Sequence, residues 1–260
     1  MTNLHYEIAG NGETIILGHA GFVDSRMWDA QWDALSANYR VLRFDMQGYG
    51  QSPVATQPIS RSEELLSVMD SLNIEKAHLV GCSLSGAAYI DFALTHPERV
   101  LSLTVINAVP GGFEMQGEPP RYMMEMFGAM QSGDVEQASE LQIRIWIDGM
   151  YREPDEVDSD LRQKALEMNK IAVQNQTFFI ADSQPVNPLD PPAIERLSEI
   201  SYPVLIVDGM LDHPEMGRAA TLMQEQIPGA IRKSIEGAAH LPTMEKPDDF
   251  NHILLDFLKA

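Results

Sequence analysis

Cys82 is the only cysteine in a chain of 260 residues, so no disulfide can form within it. Basic side chains are also scarce: 18 Lys and Arg stand against 38 Asp and Glu, a formal net charge of −20. Such a field repels phosphate backbones, anionic membrane surfaces and acidic carrier proteins, which argues against nucleic-acid and membrane partners. Mean hydropathy is −0.17, and no apolar run approaches the roughly 18 residues needed to cross a bilayer. The segment from Met1 to Glu7 has neither the basic head nor the apolar stretch of an export signal. A cytoplasmic location is therefore the expectation, and the sequon Asn175-Gln176-Thr177 reads as chance. His5, His78, His96 and His252 have no partners at metal-ligand spacing, so no metal site is expected.

What the chain does have is 44% hydrophobic residues, ample for one large core. Strand-like and helix-like segments alternate, which predicts an α/β fold around a mostly parallel sheet. Strands are expected at 14–18, 41–44, 77–81, 101–109, 203–207 and 231–235. Trp28, Trp32 and Leu35 share one helical face. Ser60 and Glu63 have the spacing of a capping box ahead of Leu65, Met69 and Leu72. A helix from about Leu84 must stop by Pro97, another is expected around 219–227, and Pro247 with Asp248 and Asp249 opens a last one. Between Pro110 and Ile200 the strand rhythm is lost. That stretch holds 17 acidic and seven basic residues, a net charge of −10. The simplest organisation is a core of 1–109 and 201–260 with a helical insertion over 110–200.

The segment Gly81-Cys82-Ser83-Leu84-Ser85-Gly86 lies between a strand and a helix. A tight turn there lifts its central side chain above the sheet, and residues two positions to either side must be small because strand and helix nearly touch. Ser83 satisfies this with Gly81 and Ser85. Cys82 does not, being flanked by Val80 and Leu84, and Ser85 would already lie inside the helix. A serine nucleophile needs a base, the base an orienting acid, and the oxyanion backbone donors. Asp212 follows the strand ending at Val207-Asp208-Gly209, and His240 follows the one ending at Glu236-Gly237. Adjacent residues cannot easily form the required hydrogen bond, which counts against His213 as the base of this set. Asp45 is expected to fix its own glycine turn.

The order Ser83, Asp212, His240 resembles that of the α/β-hydrolase fold family, and the resemblance runs from end to end. Arg26-Met27-Trp28-Asp29-Ala30-Gln31, Asp45-Met46-Gln47-Gly48-Tyr49-Gly50-Gln51-Ser52 and Gly237-Ala238-Ala239-His240-Leu241-Pro242 are similar to bacterial esterases and 3-oxoadipate enol-lactonase-like hydrolases. The resemblance implies a helical cap inserted after the sixth strand, over 110–200. It implies that His19-Ala20-Gly21-Phe22 forms the oxyanion loop, with Gly21 or Phe22 giving one N–H and Leu84 the other. His19 is then expected to brace that loop. Ala20, Gln47 and Ser85 depart from the family's usual glycine, arginine and glycine.

The implied reaction is hydrolysis of a carboxylic ester or lactone of a small to medium, largely apolar molecule through an acyl-enzyme, with no cofactor. Hydrolysis of a C–C bond in a vinylogous diketone uses the same residue types, and some hormone receptors reuse the fold without catalysis. Ser83 in place of aspartate sets the chain apart from epoxide hydrolases and haloalkane dehalogenases of this fold. Met123, Met126 and Met130 have two readings: ordinary packing within the inserted segment, or a thioether-lined acyl pocket.

Overall fold

The computed structural model describes residues 2–259. Seven strands form one sheet: β1 (Tyr6–Ala9), β2 (Thr14–Gly18), β3 (Arg40–Phe44), β4 (Ala77–Cys82), β5 (Val100–Ile106), β6 (Val204–Gly209) and β7 (Ile231–Ile235). Their spatial order is β1-β3-β2-β4-β5-β6-β7. Only β1 runs antiparallel to its neighbour, with Tyr6 opposite Phe44. Every residue of β2, β4 and β6 is buried, as expected of parallel strands covered on both faces. Helices α1 (Asp29–Ser36), α2 (Arg61–Ser71), α3 (Leu84–Thr95), α7 (Pro214–Gln226), α8 (Pro242–Glu245) and α9 (Pro247–Leu258) accompany this sheet. Two apolar clusters form its core, one around Leu79, Phe92 and Leu103 and one around Trp28, Val80 and Phe250.

Between β5 and β6 the described residues contain no strand. They form α4 (Met123–Ser132), α5 (Val135–Ile143), α6 (Ser159–Gln174) and two π-helical turns, Arg144–Asp148 and Phe178–Asp182. Ala129, Ala138 and Val173 join α4, α5 and α6 in a small core of their own. The acid-rich run supplies helix starts: Asp158 accepts the N–H of Leu161, and Glu153 and Glu156 close a capping box. Asn175 and Thr177 both donate to the carbonyl of Gly48. The sequon residues thus clamp the helical segment to the sheet's β3 loop.

Several boundaries differ from the sequence reading. The strand expected over 101–109 ends at Ile106, because Asn107 turns the chain away at φ 41°. The helical segment follows the fifth strand of the chain rather than the sixth, since only β1 precedes Thr14 among the described residues. The helix expected from 219 begins at Pro214, where the His213 ring accepts the Glu215 N–H and caps it. The Ser60 hydroxyl accepts the Glu63 N–H as the box requires, but the Glu63 carboxylate is drawn off to Asn187.

Candidate active site

Ser83 stands at the junction of β4 and α3 with φ 55° and ψ −114°. A side chain there carries backbone strain on the order of 1–3 kcal/mol. The turn persists because its surroundings fix it. The Ser83 N–H donates to Ile106 O across the sheet at 2.8 Å. A Cβ on Gly81 would lie 2.8 Å from Ser85 O, and one on Gly86 would lie 2.7 Å from the Ala108 Cβ. Glycine at both positions lets strand and helix touch. Ser85 is buried, with its hydroxyl bonded to the backbone of Cys82 on both sides. Cys82 is fully buried, and burial pushes its thiol well above the ordinary range. Neither is placed to react.

His240 Nε2 lies 2.9 Å from Ser83 Oγ, and its Nδ1 lies 2.6 Å from Asp212 Oδ2. The other Asp212 oxygen accepts the N–H of His213. The three side chains arrive from separate loops at the carboxyl ends of β4, β6 and β7, where open α/β sheets bind ligands. Asp212 and His240 are 5% and 4% exposed, so their bond is shielded from water. The indole of Trp146 covers the imidazole at a 4.8 Å centroid distance. His213 turns elsewhere: Nε2 meets Glu118 O and Nδ1 caps α7.

Asn107 and Glu245, which sequence reasoning did not single out, hold this loop in place. Asn107 donates to the carbonyls of Ala239 and His240 and accepts the N–H of Gly209. It thereby ties the ends of β5 and β6 to the histidine loop. Glu245 accepts the N–H groups of Ala239 and Leu241 and pairs with Arg152. Replacing Asn107 with alanine removes three hydrogen bonds to buried backbone groups and leaves a Cβ residue at positive φ. Urea unfolding should show a loss of about 3 kcal/mol, and turnover should fall with it.

On the other side of Ser83, no protein acceptor among the described residues takes the N–H of Gly21, Phe22 or Leu84. Gly21 approaches Leu84 so closely that a Cβ would meet its side chain at 2.9 Å. His19 steadies this loop. Its Nδ1–H donates to Ala20 O and its Nε2 accepts the Met46 N–H, and burial lowers its pKa and favours this neutral form. Asp45 accepts the N–H groups of Ser25 and Gln51, as expected of a turn-fixing residue.

Above Ser83 opens a cavity of about 270 Å³ whose walls include Phe22, Leu84, Phe127, Trp146 and Phe178. Met123, Met126 and Met130 line it too, while Met124 faces solvent at 75% exposure. The methionine stretch therefore presents one face to the cavity. Both π-helical turns contribute, through Trp146 and through Phe178 and Asp182; such turns recur at functional sites. Asp182 accepts from the Tyr49 hydroxyl and from Arg61, which also pairs with Glu64. A larger cavity of about 490 Å³ lies beyond Leu84 and Asp182, bordered by Asp91 and the 184–189 loop. Burial raises the Asp91 carboxyl to about 6. Ser83 lines the smaller cavity and not the larger one.

Residues 15–253 match the model of the alpha/beta hydrolase family. The chain belongs to that family. Among its relatives is 3-oxoadipate enol-lactonase 1 of Acinetobacter baylyi, 27% identical over 96% of this chain and 90% of that protein. Another is the 2-hydroxy-6-oxononadienedioate/2-hydroxy-6-oxononatrienedioate hydrolase of Paraburkholderia phymatum, 28% identical over 98% of this chain and 90% of that protein. The crystal structure of the enol-lactonase from Burkholderia xenovorans LB400 has the same fold. Its TM-score is 0.79 at 24% identity, covering 99% of this chain and 96% of that one. In this alpha/beta hydrolase, no described helix is long and apolar enough to cross a membrane. Among the described residues, no group of three or more His, Cys, Asp or Glu could hold a metal ion.

Proposed function

We propose that this alpha/beta hydrolase is a serine hydrolase that cleaves a carboxylic ester or lactone of a small to medium, largely apolar substrate through an acyl-enzyme. The observation that carries the reading is the hydrogen-bonded chain from Ser83 through His240 to Asp212 beneath an apolar cavity. His240 Nε2 takes the Ser83 proton as Oγ attacks the carbonyl carbon. Asp212 accepts the Nδ1–H, so it fixes the tautomer and stabilises the imidazolium. The N–H of Leu84, with that of Gly21 or Phe22, holds the oxyanion. The intermediate collapses, His240 gives its proton to the leaving alkoxide, and water then releases the acid by the same steps. The reaction needs no cofactor.

In this reading residues 110–200 are a cap over a core of 1–109 and 201–260, and the cap selects the substrate. Met123, Met126 and Met130 supply a flexible roof that adapts to irregular apolar groups. Alanine at any of the three should shift chain-length preference across an ester series by several-fold while the rate on an acetate ester changes little. Lowered melting temperatures with unchanged relative rates would instead assign these methionines to ordinary packing.

A screen of purified protein against short-chain aryl esters, lactones and vinylogous diketones tests the function. Multiple turnovers of esters or lactones, abolished in Ser83→Ala, are expected. The Paraburkholderia relative motivates a second reading, C–C bond hydrolysis of a vinylogous diketone. Diketone cleavage outpacing ester hydrolysis would favour it. Binding without turnover would point to a receptor.

A further inference from the structure

A buried amide network beside the cavity that Ser83 lines leaves one amide donor with only a weak partner. Asn169, fully buried on α6, donates from Nδ2 to Phe22 O at 2.9 Å and to Gln142 Oε1 at 2.8 Å. The Phe22 carbonyl can only accept, so the Asn169 atom facing it must be the amide nitrogen. Both Asn169 hydrogens are then spent, and the Gln142 atom facing Asn169 must be its oxygen. The Gln142 nitrogen is left pointing the other way. Its sole partner among the described residues is the Met130 thioether, a weak acceptor at 3.6 Å. Gln142 is 8% exposed and lines the same cavity as Ser83.

We propose that Gln142 Nε2 is a specificity-determining donor that binds an uncharged acceptor oxygen, such as an ether, ketone or amide carbonyl, on the acyl group of the substrate. The proposal rests on the serine-hydrolase reading and narrows its substrate class. A fixed amide donor in an apolar cavity rewards a ligand oxygen, whereas an all-carbon chain leaves that donor unpaired. The acceptor is uncharged because no lysine or arginine lines the cavity. Arg61, the cation bonded to the cavity-lining Asp182, is already held by Glu64 and Asp182. A substrate carboxylate would meet one neutral donor and a like charge. Because Asn169 also holds Phe22, the donor is fixed relative to the oxyanion loop, and so to the carbonyl under attack.

Matched 4-nitrophenyl esters test this. One series carries straight alkanoyl chains, and the other places an ether oxygen at successive positions of chains of equal length. With rates corrected for spontaneous hydrolysis, the wild-type protein should favour at least one ether ester over its all-carbon match by about tenfold in kcat/KM. Gln142→Leu and Gln142→Met should each reduce that ratio to one or below. A wild-type ratio near one at every position would overturn the proposal while leaving ester hydrolysis intact. So would a preference that survives in both variants, or one seen only with oxygen on the alcohol side. Should both variants fail to fold, as judged by circular dichroism, the wild-type ratios alone decide. Absence of any Ser83-dependent ester turnover would instead overturn the hydrolase reading, and this proposal with it.

Discussion

Replacing Ser83 with alanine should lower kcat/KM for an ester by about 10³-fold or more, with little change in the thermal unfolding transition. On the proposed mechanism, the rate loss follows from removing the atom that forms the acyl bond, with only binding and oxyanion stabilisation left to act. The unchanged stability follows from the backbone. Alanine at φ 55° is strained much as serine is, and the Ser83 N–H to Ile106 bond survives the change. Ser83→Gly separates the two effects. It should be equally inactive yet more stable, by up to about 1–3 kcal/mol, because glycine accepts a positive φ without a Cβ penalty. A Ser83→Ala protein retaining a tenth of wild-type activity would place the nucleophile elsewhere.

The second large effect concerns the proposed base, His240. His240→Ala should cost a comparable factor, about 10³-fold, since neither proton transfer nor imidazolium stabilisation can then occur. His213→Ala should leave the chemical step in place, because that ring reaches Glu118 O and the Glu215 N–H and not Ser83. Its cost should appear in stability, about 1 kcal/mol for a lost helix cap. Activity lost in His213→Ala and kept in His240→Ala would reverse the assignment.

The elbow is legible in sequence because its requirement is local and steric: small side chains two residues to either side of Ser83. Asp212 and His240 are legible because each follows an apolar strand, and the sheet gathers strand ends. The amide network is not. Phe22, Gln142 and Asn169 sit 120 and 27 residues apart in the chain and follow no spacing rule. Their meeting is a result of how α5 and α6 seat over the loop that carries Phe22. Asn107 is a single polar residue after an apolar run, and only the folded arrangement reveals its three bonds. Strand β1 escapes notice for a different reason. Tyr6 and Ile8 are 39% and 38% exposed, so this edge strand has no strongly buried face to produce an alternating pattern. The π-helical turns that deliver Trp146, Phe178 and Asp182 likewise break the 3.6-residue period on which helix reading depends.

A fluorophosphonate probe reacts with a serine only where a base activates the hydroxyl and donors stabilise the phosphoryl oxygen, so it interrogates the whole assembly at once. Intact-mass analysis should show one equivalent added per chain, and tandem mass spectrometry should place it on Ser83. Labelling should disappear in Ser83→Ala and drop sharply in His240→Ala. A label on Ser85 or Cys82, or a Ser83→Ala protein that still takes up one equivalent, would contradict the assignment of Ser83 as the nucleophile.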